Sequence, residues 1–160
     1  MGLDAHVNCR CFETAKLREL PPREWDIYVA ADGGVDCRNT DLETLMAFDA
    51  WTNQCRMCEH EDGVALHHYI GNVGCVAFLR EELGREPESF PLLLKKVVYN
   101  GVHAGDWHTC EEVRALLPEL DRLRRFSASD AKDQPFVESF RNQMTELVEC
   151  ALSLNKPIVF

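Results

Sequence analysis

Residues 3–11 alternate. Leu3, Ala5, Val7, Cys9 and Cys11 fall on one side and Asp4, His6, Asn8 and Arg10 on the other, the period of a half-buried strand. Two further strands are predicted over Asp26–Ala30 and Val35–Arg38, joined by the hairpin turn Ala31-Asp32-Gly33-Gly34, where glycine accepts positive φ. A fourth runs from Val64 to Tyr69, and Ile158-Val159-Phe160 adds a last strand that ties down the C-terminus. Residues 12–25 read as a loop.

Helical spacing takes over between these strands. Thr40-x-x-Glu43 reads as a capping box opening a helix that runs to about Asn53, with Leu42, Leu45, Met46 and Phe48 as its buried stripe. Asn72 is placed as the N-cap of a helix with Val73, Val76, Ala77, Leu79 and Leu83 on its core side, stopped at Gly84. Ser89 caps a third helix that ends at Asn100-Gly101. Thr109-x-x-Glu112 is a second capping box; its helix contains Pro118, where a kink or break is expected. The longest helix starts at Asp133-Gln-Pro135 and carries Phe136, Phe140, Met144, Leu147, Val148 and Ala151 at steps of three and four. The order of elements predicts an α+β fold: one small, mostly antiparallel sheet covered by about five helices, in a single domain over 1–160.

Charge narrows the function classes. Seventeen basic residues against 27 acidic give a net charge of −10, which argues against a nucleic-acid partner, since a phosphate-binding surface needs excess Lys and Arg. The acidity is spread over both halves; it serves solubility or steers a basic protein partner. No apolar run approaches a membrane span, and the N-terminal residues lack the basic and apolar regions of a signal peptide. Gly2 is followed by His6 rather than Ser or Thr at position six, against myristoylation. Eight cysteines in such a chain read as free thiols in a reducing, cytoplasmic setting.

Candidate chemistry concentrates in two stretches. Cys55-x-x-Cys58-x-His60 is half of a zinc signature, because zinc takes Cys sulfur and His nitrogen in sets of four. Its completion must come in space from Cys9, Cys11, His67, His68, His103, Asp106 or Cys110. Cys9 and Cys11 lie about 6.5–7 Å apart on an extended strand, so that strand has to bend before both thiolates reach one ion. The alternative is semi-buried thiols that only fill space. A redox CxxC is disfavoured, since no βα junction of a parallel unit surrounds it.

The second stretch is the glycine-flanked loop Gly101–Thr109, with His103, Asp106 and His108. Should it meet the end of the 64–69 strand, His103 and Asp106 converge with one of His67 and His68, whose side chains face opposite sides. Asn72, heading the next helix, joins this pocket set. Such a pocket suits a small molecule or a divalent metal, zinc or another; equally, the loop's polar groups satisfy its own backbone.

The segments Met1-Gly2-Leu3-Asp4-Ala5, Cys9-Arg10-Cys11-Phe12-Glu13, Cys58-Glu59-His60-Glu61, His67-His68-Tyr69-Ile70-Gly71-Asn72 and Gly101-x-His103-x-Gly105-Asp106 together resemble a group of small uncharacterised bacterial proteins over the full length. The group more often has Gly at position 15 and Arg at 69, where this chain has Ala15 and Tyr69. The Tyr69 departure weakens an anion-binding role there. The resemblance implies a bacterial cytosolic origin and no reaction type.

Overall fold

The structure is a computed structural model that describes residues 2–54, 56–101 and 105–160. Strand β1 (Gly2–Asn8) is central. It pairs antiparallel with β4 (Val64–Asn72) on one side and with β6 (Ile158–Val159) on the other; β6 pairs in turn with β5 (Trp107–His108). The sheet order is therefore β4-β1-β6-β5, all antiparallel. Strands β2 (Ile27–Val29) and β3 (Val35–Cys37) form a separate two-stranded ribbon, so the strands predicted for one sheet are split between two. The α+β class holds.

Alternation along β1 sends Leu3, Ala5 and Val7 into the main core at 0% exposure. Helices α2 (Val73–Leu83), α3 (Cys110–Leu123) and α4 (Gln134–Leu154) supply the opposing side chains, among them Val76, Leu79, Leu116, Phe140, Met144 and Leu147. Between α2 and β5, Leu93–Val97 forms a π-helical turn whose first amides are capped by the buried Glu119 carboxylate: Leu92 and Leu93 donate to it at 2.8 and 2.9 Å. Helix termini follow local rules. Asn72 accepts from the Cys75 amide, Thr109 and Glu112 form the reciprocal capping box, and α4 stops at Asn155 with φ 50°.

Three local expectations are corrected. Helix α1 (Leu42–Asn53) is capped by Asp41, which accepts from the Thr44 amide at 2.8 Å, one residue later than Thr40. Three of the four residues of its predicted buried stripe face water, Leu42, Leu45 and Met46 being 73%, 38% and 66% exposed; Phe48 does turn inward, together with Trp51. Both faces carry apolar residues, so periodicity alone could not say which one finds a partner. Helix α3 continues through Pro118, which lies on its exposed side, as does Arg114, whose carbonyl the proline cannot bond.

A second, smaller core gathers Cys9, Cys11, Trp51, Met57 and Cys58, with Trp25 and Phe48 packed against it. The rings of Trp25, Phe48 and Trp51 sit 6.1 Å apart pairwise. Lys156, 3% exposed, joins this lobe to the main body: its Nζ donates to the Gly33 carbonyl at 2.6 Å and pairs with Glu13 at 2.6 Å.

Candidate metal centre

Two short segments build the centre, and the sheet brings them together. Cys9 and Cys11 follow the last residue of β1; Cys58 and His60 precede β4. Because β1 and β4 run antiparallel with Asn8 opposite Val64, the end of one strand lies beside the start of the other. The Cys9 amide donates to the Gly63 carbonyl at 2.7 Å and locks that junction.

Each segment bends as its chemistry requires. After β1 the chain turns through residues 11–15, with Thr14 N bonded to Arg10 O at 2.9 Å, Lys16 N to Cys11 O at 2.9 Å, and Ala15 at φ 55°. β1 ends at Asn8, before either cysteine, and the two sulfurs lie within 4.8 Å, closer than the spacing of an extended strand. On the other side Asp62 and Gly63 take φ of 52° and 70° to reverse the chain after His60. A Cβ on Gly63 would stand 2.8 Å from Met57 Cε, the movable end of a flexible side chain, so it is the positive φ rather than space that favours glycine there.

The donor atoms of Cys9, Cys11, Cys58 and His60 all lie within 4.8 Å of one another. Cys9 Sγ is 3.8 Å from Cys58 Sγ; His60 Nδ1 is 3.8 Å from Cys58 Sγ and 3.4 Å from Cys11 Sγ. Tetrahedral zinc with ordinary bond lengths places sulfurs about 3.8 Å apart and sulfur and nitrogen about 3.5 Å apart. The spacing therefore fits one ion. The three sulfurs are buried and His60 is half-buried. Burial pushes the thiols of Cys9, Cys11 and Cys58 up. The Cys11 amide on Cys9 and the His60 amide on Cys58 pull the other way, as donors to a thiolate do. This Cys3His cluster can bind a metal.

Of the expected set, Cys58 and His60 are in the centre and Cys55 lies outside the described residues. Cys9 and Cys11, which the sequence offers only as residues to complete it, supply the other two donors. The signal that selects them is the pairing of the two strands they adjoin, Cys-x-Cys after the first and Cys-x-His before the second.

The second expected pocket does not assemble from the described residues. His67 and His68 sit on β4, at one edge of the sheet; Asp106 precedes β5, at the other. His67, His6, Val159 and Trp107 lie in one cross-strand row. Three strand spacings thus put about 14 Å between the two edges, too far for a shared ligand. His67 faces the open side of the sheet, 3.1 Å from Asp4, whereas His68 contacts Glu146 of α4 at 2.8 Å. Asn72 is occupied as a helix cap, and Asp106 accepts from the Tyr99 hydroxyl. His103 lies outside the described residues.

No described helix is long and apolar enough to cross a membrane. Comparison with protein-family models, with curated proteins and with solved structures finds no match to this chain.

Proposed function

We propose that Cys9, Cys11, Cys58 and His60 hold one structural Zn²⁺, and that the chain works as a zinc-stapled binding protein. The observation that carries this reading is the convergence of all four donors within 4.8 Å of one another, with Cys9–Cys58, Cys58–His60 and Cys11–His60 at 3.8, 3.8 and 3.4 Å, close to the edges of a zinc tetrahedron. Four protein donors leave no open position, which is the mark of a structural site. The second core around it is small, and lobes of that size commonly need a metal or disulfides to hold. Zinc would supply a cross-link between the end of β1 and the segment that enters β4.

Metal analysis of untagged protein tests this. One equivalent of zinc is expected, falling below about 0.2 equivalents in Cys58→Ser. A metal-free protein that keeps its native fold and takes up no added zinc would sink the proposal.

A second reading, an acidic partner of a basic protein, is favoured by α1. Leu42, Leu45 and Met46 form an exposed apolar stripe beside Asp41, Glu43 and Asp49, and the helix has no Lys or Arg. Exposed apolar side chains ringed by one sign of charge suit a partner with apolar residues ringed by the other. An amphipathic leucine–lysine peptide should shift α1 amide resonances, less so at high salt and less so for Met46→Asp. Shifts centred elsewhere on the surface would count against it.

A further inference from the structure

Away from the Cys3His cluster, ionisable side chains gather on the open face of the sheet. Alternation along β1 puts Leu3, Ala5 and Val7 into the core and so turns Asp4 and His6 outward. His6 pairs directly with His67 across the β1–β4 ladder. Directly opposite residues share a face, with Cβ atoms about 4.5–5.5 Å apart. Two imidazoles at that spacing can reach one ion. The His67 Nε2 lies 3.1 Å from Asp4 Oδ1, which orients the ring and leaves Nδ1 as its donor atom. Burial, with the neighbouring His67, holds the pKa of the His6 imidazole below its ordinary value, against the smaller opposing pull of Asp32 and Asp4. One oxygen of Asp32 accepts from the Gly34 amide at 2.9 Å.

The surroundings leave room. His6 and His67 border a hollow of about 490 Å³ that also includes Asp62. A second hollow, about 210 Å³, runs from His6 towards Asp32 and Asn8. The His6 ring therefore stands between two spaces at the seam of the sheet and the small lobe.

The geometry points to a second metal site, formed by His6 and His67, that takes a divalent transition-metal cation such as Ni²⁺, Co²⁺ or Zn²⁺. Imidazole is the ligand these ions share, and the carboxylates of Asp4 and Asp32 make the locale favourable to a cation. Asp4 is a positioning residue that acts through His67. Two imidazoles leave coordination positions facing the larger hollow, where water or a small ligand binds. This contrasts with the closed, sulfur-rich cluster, and it does not depend on what that cluster holds.

The test is a Ni²⁺ titration of untagged protein preloaded with Zn²⁺, followed by calorimetry and by paramagnetic broadening of the histidine resonances. One equivalent of Ni²⁺ is expected to bind and to broaden His6 and His67 most. His6→Gln and His67→Gln should each weaken binding about tenfold or more, and Asp4→Asn about tenfold. His68→Gln, on the opposite face, should leave it unchanged. Undiminished affinity in the His6→Gln/His67→Gln double variant, or no Ni²⁺ binding up to millimolar concentration, would overturn the site. If a variant fails to fold, broadening of the wild type decides: centred on His6 and His67 it supports the site, and centred elsewhere it refutes it.

Discussion

Ala15 holds φ at 55° in the turn that aims Cys11 at the cluster. A side chain with a Cβ pays about 1–2 kcal/mol for that conformation, and glycine does not. Ala15 is exposed, so its methyl group gives up little packing. Ala15→Gly is therefore expected to raise stability by roughly 0.5–1 kcal/mol, read from urea denaturation. Glu112 makes a different case. The Lys96 ammonium beside it, together with the amide and hydroxyl of Thr109, holds its carboxyl down at about 2. A carboxyl lowered on folding stabilises above its unfolded pKa of about 4.5, and that contribution is lost as pH falls towards about 2. Glu112→Gln should cost about 1–2 kcal/mol at neutral pH and flatten the acid limb of a pH–stability curve between those values.

Helix α1 shows how one amphipathic segment can be read with the wrong face inward. Leu42, Leu45 and Met46 keep helical spacing, and so do Phe48 and Trp51; the aromatic pair is the one that meets Trp25 and the cysteines. The consequence is measurable. Leu42→Ser and Met46→Ser should change stability by less than about 0.5 kcal/mol, as exposed positions do. Trp51→Ala should cost about 3–5 kcal/mol, because it empties the centre of the small core and removes the indole bond to the Glu19 carbonyl. Equal effects at the two kinds of position would contradict the observed orientation of the helix.

The whole molecule carries two cores of unequal size. The larger is closed by α2, α3 and α4 against the sheet; the smaller depends on a few aromatic rings, Met57 and the three thiols. Removal of the proposed metal should loosen the smaller one first. Trp25 and Trp51 report on it, whereas Trp107 lies on β5 of the main sheet. Chelation is expected to shift tryptophan emission to the red while most far-ultraviolet helical signal persists, since α2, α3 and α4 belong to the other core. A single transition in which both signals vanish together would show that the cores are not separable.

Local order was legible in the residues themselves. The alternation of β1, the Asn72 and Thr109 caps, the stop at Asn155 and the stripe of α4 depend on neighbours within a few positions, so sequence spacing determines them. The soft donors at Cys58 and His60 were visible for the same reason. What only the tertiary structure decided was convergence. Cys11 and His60 stand 49 positions apart and meet because two antiparallel strands place Asn8 against Val64. The expected meeting of His67 or His68 with Asp106 fails on the same ground, since pairing assigns their strands to opposite edges. Strand register and order are set by how faces bury against distant partners, and that information is held in no short window of the chain.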